Sequence, residues 1–232
     1  MICFIDIETI KSTRTDLTEH FNKTIKPPGN IKKKESIDAW WKDKSGIAVK
    51  ESLDKTSLSG DFGEIISISY ALNDGAVNNV FRYQGESESI FLNGFAMGLS
   101  KDLGQRKIDQ WVGHNVAAFD LPFIYKRCII NGVTLPDGLP VNPNPWDKKV
   151  FDTMFEWAGR GNRISQDNLC FILGIEQKPS DISGANVGQH YIDGNFEKII
   201  NYNNYDVETI RRIYNRMNFN NEVVPAIDVA ES

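Results

Sequence analysis

The hydrophobic pattern places strands near the start of the chain and helices toward its end. Residues 2–8 read Ile-Cys-Phe-Ile-Asp-Ile-Glu, a short apolar run interrupted by two acids, which predicts a buried strand. The β-rich runs 65–72 and 77–83 flank Asn-Asp-Gly at 73–75, and an Asp-Gly pair in such a position is a strong hairpin signal. The sequence therefore predicts three strands, of which the last two form a hairpin.

Helices and strands alternate after the hairpin. Periodicity and stop signals predict strands over 109–115 and 149–152 and helices over 88–103, 121–130, 152–158, 165–173 and 196–217. The stretch 132–145 contains four prolines, which predicts a loop. Five strands in this order resemble the mixed α/β sheet of ribonuclease H-like folds, flanked by helices. We expect one domain over 1–217 and a C-terminal tail over 218–232.

A polar, lysine-rich insertion over about 11–62 interrupts this layout. Residues 11–55 contain 11 Lys or Arg and 7 Asp or Glu, a balance of +4 in a chain whose net charge is −5. We predict one helix in the insertion, near 36–42, carrying Trp40 and Trp41. The favoured interpretation is that the tryptophans anchor the insertion on the body. The alternative is a lid or cleft wall whose lysines bind phosphates and whose aromatic side chains bind a base.

The composition is that of an ordinary globular domain. Of the 232 residues, 41% are hydrophobic and 25% are charged, and no apolar run approaches the roughly 18 residues that would suggest a membrane span. We expect a soluble protein of the bacterial or phage-infected host cytosol. Cys3, Cys128 and Cys170 form no C-x-x-C pair, so we predict buried thiols and neither a disulfide framework nor a zinc site.

Two carboxylates in the first strand are the first candidate functional residues. Because side chains alternate along a strand, Asp6 and Glu8 lie on one side of it, about 7 Å apart. No Lys or Arg lies within this strand, and burying unpaired charge is unfavourable. A bound divalent cation such as Mg²⁺, which prefers oxygen ligands, would resolve this conflict.

Two other segments offer residues for the same site. Tyr202 and Asp206 are four residues apart in a predicted helix, so they share one helix face. Asp120 ends the segment Gly-His-Asn-Val-Ala-Ala-Phe-Asp at 113–120, where a predicted strand gives way to a helix. An alternative role for Asp120 is to cap the helix that starts at Leu121.

Together these segments resemble the three exonuclease motifs of the DEDD superfamily. The motifs are Phe-Ile-Asp-Ile-Glu-Thr at 4–9, the segment 113–120, and Tyr-x-x-x-Asp at 202–206. Tyrosine in the third motif is typical of the DEDDy branch, which includes the proofreading domains of family B DNA polymerases. The sequence most resembles the stand-alone predicted 3′-to-5′ exonucleases of bacteria and phages that are related to those domains. The similarity extends through 151–154, 169–174 and 183–184.

The resemblance implies roles for the acidic residues and the tyrosine. Asp6 would bridge two Mg²⁺ or Mn²⁺ ions, Glu8 and Asp206 would complete the site of one ion, and Asp120 would hold the other through water. Two such ions, about 3.5–4 Å apart, stabilise the attacking and leaving oxygens of a phosphodiester displacement. Tyr202 would orient the attacking water, since a phenol is a poor base at neutral pH.

The resemblance also places residues beside the substrate. Thr9 and Ile10 would lie next to the terminal base, Phe119 would stack on it, and Asn115 would bind the substrate backbone. Core packing is an equally open interpretation for Ile10 and Phe119, as is a turn-stabilising role for Asn115.

The histidines are predicted to be structural or peripheral. The sister DEDDh branch places its histidine five residues before the last aspartate, where this chain has Asn201. We therefore assign no catalytic role to His114 or His190.

These observations predict a metal-dependent exonuclease that removes nucleotides from the 3′ ends of single-stranded DNA. The sequence ends soon after the third motif, so we expect no fused polymerase domain. Any proofreading role would then need a polymerase, or another replication or repair protein, acting in trans. Two alternatives are an RNA 3′ exonuclease and a non-catalytic nucleic-acid-binding module on the same fold.

Overall fold

The computed structural model describes residues 1–176 and 181–220, and a five-stranded sheet lies at its centre. The strands are β1 (Ile2–Ile10), β2 (Glu64–Leu72), β3 (Asn78–Phe81), β4 (Gln110–Gly113) and β5 (Val150–Asp152). Their order across the sheet is β3-β2-β1-β4-β5. β1 pairs antiparallel with β2 and parallel with β4, and β2 and β3 form the predicted antiparallel hairpin. The predicted mixed α/β sheet is confirmed, with β1 at its centre.

Helices flank this sheet, and all six predicted helices are present. They are α1 (Leu17–Thr24), α2 (Lys34–Asp43), α3 (Ser45–Asp54), α4 (Glu88–Leu103), α5 (Asp120–Ile130), α6 (Thr153–Ala158), α7 (Gln166–Leu173), α8 (Val187–Ile192) and α9 (Phe196–Met217). The sequence did not predict α1, α3 or α8. α1 and α3 bury one residue each, Leu17 and Val49, which is too few to produce an apolar stripe.

The two faces of the sheet differ in chemistry. We call the side covered by α4 and α5 the apolar face, where Ile5, Ile7 and Ile68 pack with Phe95 and Ile124 in the main core. α9 covers the opposite side, the α9 face. Side chains alternate along β1. Because Ile5 and Ile7 lie on the apolar face, Asp6 and Glu8 lie on the α9 face.

The α9 face has an apolar cluster at each end. Phe4 packs with Val207 and Ile210 in one cluster, and Ile10 packs with Ile199 in the other. A polar band that includes Asp6 and Glu8 lies between these clusters. A β-bulge interrupts the pairing of β1 with β2 beside this band. Glu8 pairs with Ser67 and Thr9 with Ile65, which leaves Ile66 as an extra residue on β2.

The insertion is folded, and hydrogen bonds attach its C-terminal end to β1 and the residues that follow it. It consists of α1, α2, α3 and a 3₁₀ turn over Lys55–Leu58. The Thr9 hydroxyl donates to the Ser57 carbonyl at 2.7 Å, and the Ser12 backbone N–H donates to the buried Thr56 hydroxyl at 2.9 Å. These bonds hold the end of the insertion against the end of β1.

The tryptophan pair does not supply this attachment, which corrects the favoured interpretation. α2 buries no residue, and Trp41 is 41% exposed with its ring edge-on to Trp40. Hydrogen bonds at the base of the insertion take the place of the expected apolar anchor.

Other sequence predictions have mixed outcomes. All three cysteines are buried, as predicted. Within residues 1–176 and 181–220, no helix is both long and apolar enough to cross a bilayer. Most of the predicted tail, residues 221–232, lies outside the described residues, and the domain division stays a prediction.

Candidate active site

Three carboxylates meet in a cleft of about 400 Å³ on the α9 face. Asp6 and Glu8 come from β1 and Asp206 from α9, and each offers an oxygen within 4.8 Å of the others. Glu8 and Asp206 are buried, and Asp6 is half-buried. The fold thus assembles acids that are about 200 positions apart in the sequence.

Such a cluster fits a hard divalent cation. The three residues offer oxygen ligands alone, with no histidine or cysteine among them, which suits Mg²⁺ or Mn²⁺ better than zinc. Like charges held this close in a buried setting repel one another, and a cation would relieve that repulsion. Asp6, Glu8 and Asp206 are therefore the residues that would hold a metal ion.

Asp120 lines the same cleft but lies outside this three-residue cluster. It is the first residue of α5, and its Oδ1 accepts the backbone N–H of Ile7 at 3.1 Å. The alternative role as a helix cap is wrong, because Phe119 occupies the cap position. Burial raises the pKa of the Asp120 carboxyl from 3.8 to about 7, with a smaller contribution from the charges of Asp152 and Asp206.

The other predicted site residues line the same cleft, with one exception. Thr9, Asn115, Phe119 and Tyr202 all contribute to its wall. Asn115 adopts a left-handed conformation with a φ of 63°, which asparagine tolerates better than most residues. Its role as a turn residue and its place in the cleft are therefore compatible.

Ile10 is the exception, and its predicted contact with a base is wrong. Its side chain is 7% exposed and packs against Ile66, Val187 and Ile199 in one of the apolar clusters of the α9 face. The core-packing alternative is the correct one. Leu58 is instead the exposed apolar residue of the cleft wall, with 70% of its surface accessible.

Three residues to which the sequence analysis assigned no role organise the site. The buried Asp152 carboxylate accepts the backbone N–H groups of Asn115 at 2.8 Å and Ala117 at 3.1 Å, which fixes the turn before Asp120. The Gln166 amide donates to Asp206 Oδ1 at 3.0 Å. Asn203, which follows Tyr202, donates to Asp6 Oδ2 at 2.7 Å.

His114 also lines the cleft, and its ring has structural partners. Nδ1 lies 2.9 Å from the Thr153 hydroxyl, and Nε2 lies 2.9 Å from the carbonyl of Ile164. Both ring nitrogens thus connect the end of β4 to neighbouring segments, which agrees with the structural role predicted for this residue.

Comparison with known families identifies the chain. A family model described as a predicted 3′-5′ exonuclease related to the exonuclease domain of PolB matches residues 58–230, well over half of the sequence. The chain belongs to this family. The matched range contains Asp120, Tyr202 and Asp206, whereas Asp6 and Glu8 precede it. The three-dimensional clustering of Asp6 and Glu8 with Asp206 is therefore evidence that the family match does not itself supply.

The fold of this family member is also similar to part of a solved polymerase structure. The family B DNA polymerase from the hyperthermophilic archaeon Pyrobaculum calidifontis superposes with a TM-score of 0.57 at 16% sequence identity. The superposition covers 94% of this chain and 24% of the polymerase chain, so the likeness concerns a minor part of that enzyme. At this identity the likeness establishes the fold alone. A search of curated proteins finds no match.

Proposed function

We propose that the protein is a metal-dependent exonuclease that hydrolyses single-stranded DNA from its 3′ end and releases nucleoside 5′-monophosphates. The observation that carries this proposal is the convergence of Asp6, Glu8 and Asp206 in one cleft, with Asp120 and Tyr202 in the same wall. Membership of a predicted 3′-5′ exonuclease family supports the direction of digestion.

The acidic residues would bind the catalytic cations. In this proposal Asp6, Glu8 and Asp206 would hold one Mg²⁺ or Mn²⁺ ion, and Asp6 and Asp120 would hold a second. Two bound ions would stabilise the attacking and leaving oxygens of the scissile phosphate. Burial raises the pKa of Asp120, and a nearby cation would favour the charged carboxylate that burial disfavours.

Tyr202 and the apolar residues of the wall would handle the water and the terminal nucleotide. Tyr202 lies one helical turn before Asp206, a position from which its hydroxyl can orient a water beside the carboxylates. Phe119 would stack on the terminal base, a contact that any base can make and that suits an enzyme without sequence preference. Thr9 would lie next to the terminal base, and Asn115 would contact the substrate backbone.

The proposed substrate is DNA with an unpaired 3′ end. The family is related to the exonuclease domain of a DNA polymerase, which favours DNA over RNA. A polymerase or repair protein acting in trans is the natural source of such an end, and it would present the strand to the cleft.

Digestion of a 5′-labelled single-stranded oligonucleotide tests the proposal. Wild-type protein with Mg²⁺ or Mn²⁺ should give a ladder that shortens from the 3′ end, and EDTA or Asp6→Ala should abolish it. An RNA oligonucleotide of the same sequence should be degraded at least tenfold more slowly, an expectation on the order of one lost or unsatisfied hydrogen bond. A shifted but intact oligonucleotide on a native gel would instead favour the binding-module alternative.

A further inference from the structure

A chain of hydrogen bonds crosses the α9 face from the edge strand β3 to Asp6. The Asn79 amide donates to the Ser67 hydroxyl at 2.8 Å, and that hydroxyl donates to Asn203 Oδ1 at 2.7 Å. Asn203 Nδ2 then donates to Asp6 Oδ2 at 2.7 Å. Ser67 and Asn203 have no solvent-exposed surface. A buried polar chain thus ends on a carboxylate of the proposed metal site.

The chemistry of the carboxylate fixes the direction of this chain. An ionised carboxylate only accepts hydrogen bonds, so the nitrogen of the Asn203 amide must face Asp6. The amide oxygen then faces Ser67, whose hydroxyl must donate to it. The remaining lone pairs of Ser67 accept from Asn79. Each group therefore has one orientation that satisfies its neighbours, and the chain holds the Asn203 amide rigidly against Asp6.

Packing alone does not explain these polar residues. The same strands bury isoleucines on the apolar face, and those side chains need no polar partners. A well-packed apolar substitute for a buried polar group is often neutral or stabilising, whereas a half-satisfied network is unfavourable. The polar chain lies where β1 carries its carboxylates, which indicates a role in holding one of them.

A second branch of the network provides an internal comparison. Asn79 also donates to the Ser69 hydroxyl at 2.8 Å, and Ser69 donates to Asn204 Oδ1 at 2.8 Å. Ser67 and Ser69 are both fully buried on β2, two positions apart, and each bonds one asparagine of α9. The two serines differ in that only the Ser67 branch continues through its asparagine to Asp6.

We infer that Asn203 is a positioning residue that holds the Asp6 carboxylate for cation binding, and that Ser67 orients Asn203 for this task. The inference rests on the proposed function, because it concerns the same metal site. Asn203 stabilises the charged carboxylate and restricts its rotation, so that a cation meets a ligand that is already in place. Asn203 itself contacts neither the substrate nor the reacting atoms in this assignment.

Paired serine substitutions test the inference with a readout other than activity. Mn²⁺ binding to wild type, Ser67→Ala and Ser69→Ala is measured from the free-ion signal in electron paramagnetic resonance, without DNA. We expect Ser67→Ala to weaken Mn²⁺ binding about fivefold, as expected for one lost hydrogen bond, and Ser69→Ala to change it less than about twofold. Asn203→Leu, which removes the donor to Asp6, should weaken binding about tenfold to a hundredfold.

Thermal unfolding in EDTA separates positioning from stability. Both serine variants lose one buried hydroxyl, so a purely structural role predicts equal falls in Tm and unchanged Mn²⁺ affinity in both. Equal Mn²⁺ affinities in Ser67→Ala and Ser69→Ala, or an unchanged affinity in Asn203→Leu, would overturn the positioning role alone. A wild-type protein that binds no Mn²⁺ and degrades no DNA would overturn the proposed function as well.

Discussion

The two faces of the central sheet are built from the same strands but have different roles, one in stability and the other in the candidate active site. On the apolar face, Ile5 and Ile7 of β1 pack against α4 and α5 in a fully buried core. On the α9 face, Asp6 and Glu8 of the same strand meet Asp206 in a polar cleft. The alternation of side chains along one strand therefore divides the molecule into a stabilising side and a chemical side.

This division predicts that stability and activity respond to different substitutions. Apolar burial stabilises the fold by about 25 cal/mol for each Å² removed from water, and the apolar face provides most of it. Clustered carboxylates oppose folding until a cation or a hydrogen-bond donor compensates them. Substitutions on one face should thus change the free energy of unfolding, and substitutions on the other should change turnover.

The largest expected effect is on the apolar face. Phe95 is fully buried and its ring contacts Tyr70 edge-on, so Phe95→Ala should lower the free energy of unfolding by about 3–5 kcal/mol. Urea unfolding measures this loss. The exonuclease activity of the remaining folded protein should be close to that of wild type. A folded Phe95→Ala protein without activity would show that the two faces are coupled.

Asp206→Asn is the matching test on the α9 face. It removes one proposed cation ligand while keeping the size of the side chain. Activity should fall by more than about 100-fold, since substitution of residues that only hydrogen-bond to metal ligands typically lowers metal affinity or activity by about 10–100-fold. Mg²⁺ or Mn²⁺ should raise the Tm of wild type and not that of the variant.

Asp109→Asn is the control for this experiment, because Asp109 is exposed beside the N-terminal amine, outside the cleft. It should leave activity and the metal-dependent rise in Tm unchanged. Full activity in Asp206→Asn would contradict the assignment of the site.

Local patterns were sufficient to predict the five strands and six of the nine helices of the described residues, and the motifs put Asp6, Glu8, Asp120, Tyr202 and Asp206 in one predicted site, all of which line one cleft. α4 and α9 have the predicted bounds because their apolar positions repeat with a helical period and stop signals follow. The spacing of Asp6 and Glu8 along a strand, and of Tyr202 and Asp206 along a helix, gave their shared faces. These predictions depended on neighbours in the sequence.

The residues that were predicted wrongly or missed have surroundings that come from distant parts of the sequence. Ile10 has the same spacing from Glu8 as Glu8 has from Asp6, yet α8 and α9 cover it, and no local pattern reports that cover. Asp152 and Asn203 act through bonds to residues far away in the sequence. Leu58 reaches the cleft because hydrogen bonds fasten the insertion beside β1.

The buried Asp120 carboxyl should make the free energy of unfolding depend on pH. Burial raises its pKa to about 7 from 3.8 in the unfolded chain, so the folded protein keeps a proton that the unfolded chain releases between these values. In EDTA, wild-type stability should fall as the pH rises from about 4 to 7 through this group and then level off.

Asp120→Asn isolates this contribution, because an amide oxygen can still accept the N–H of Ile7. The variant should melt several degrees above wild type at pH 8, with a smaller difference at pH 5, given about 2–4 °C for each kcal/mol in a chain of this size. Thermal unfolding at a series of pH values measures the difference. A gap that stays constant with pH would exclude a burial penalty on the charged carboxylate.

The smallest expected effect concerns Leu58, an exposed apolar residue of the cleft wall. An exposed leucine needs no explanation in itself, but Leu58 lines both the cleft and an adjoining depression that reaches Gly184. Its backbone is held by the bond between Thr9 and the Ser57 carbonyl. We therefore expect Leu58 to pack against a base of the bound strand.

Leu58→Ala should raise the KM for a single-stranded oligonucleotide about threefold to tenfold and leave kcat nearly unchanged, because a packing contact of this kind is uniform binding. Ile90→Ala is the control, since Ile90 is 72% exposed on α4 and outside the cleft. Equal KM values in the two variants would assign Leu58 to the ordinary exposed apolar surface. A change in kcat would instead mean that the insertion helps to place the scissile phosphate, and that the chemical side extends beyond the sheet into the insertion.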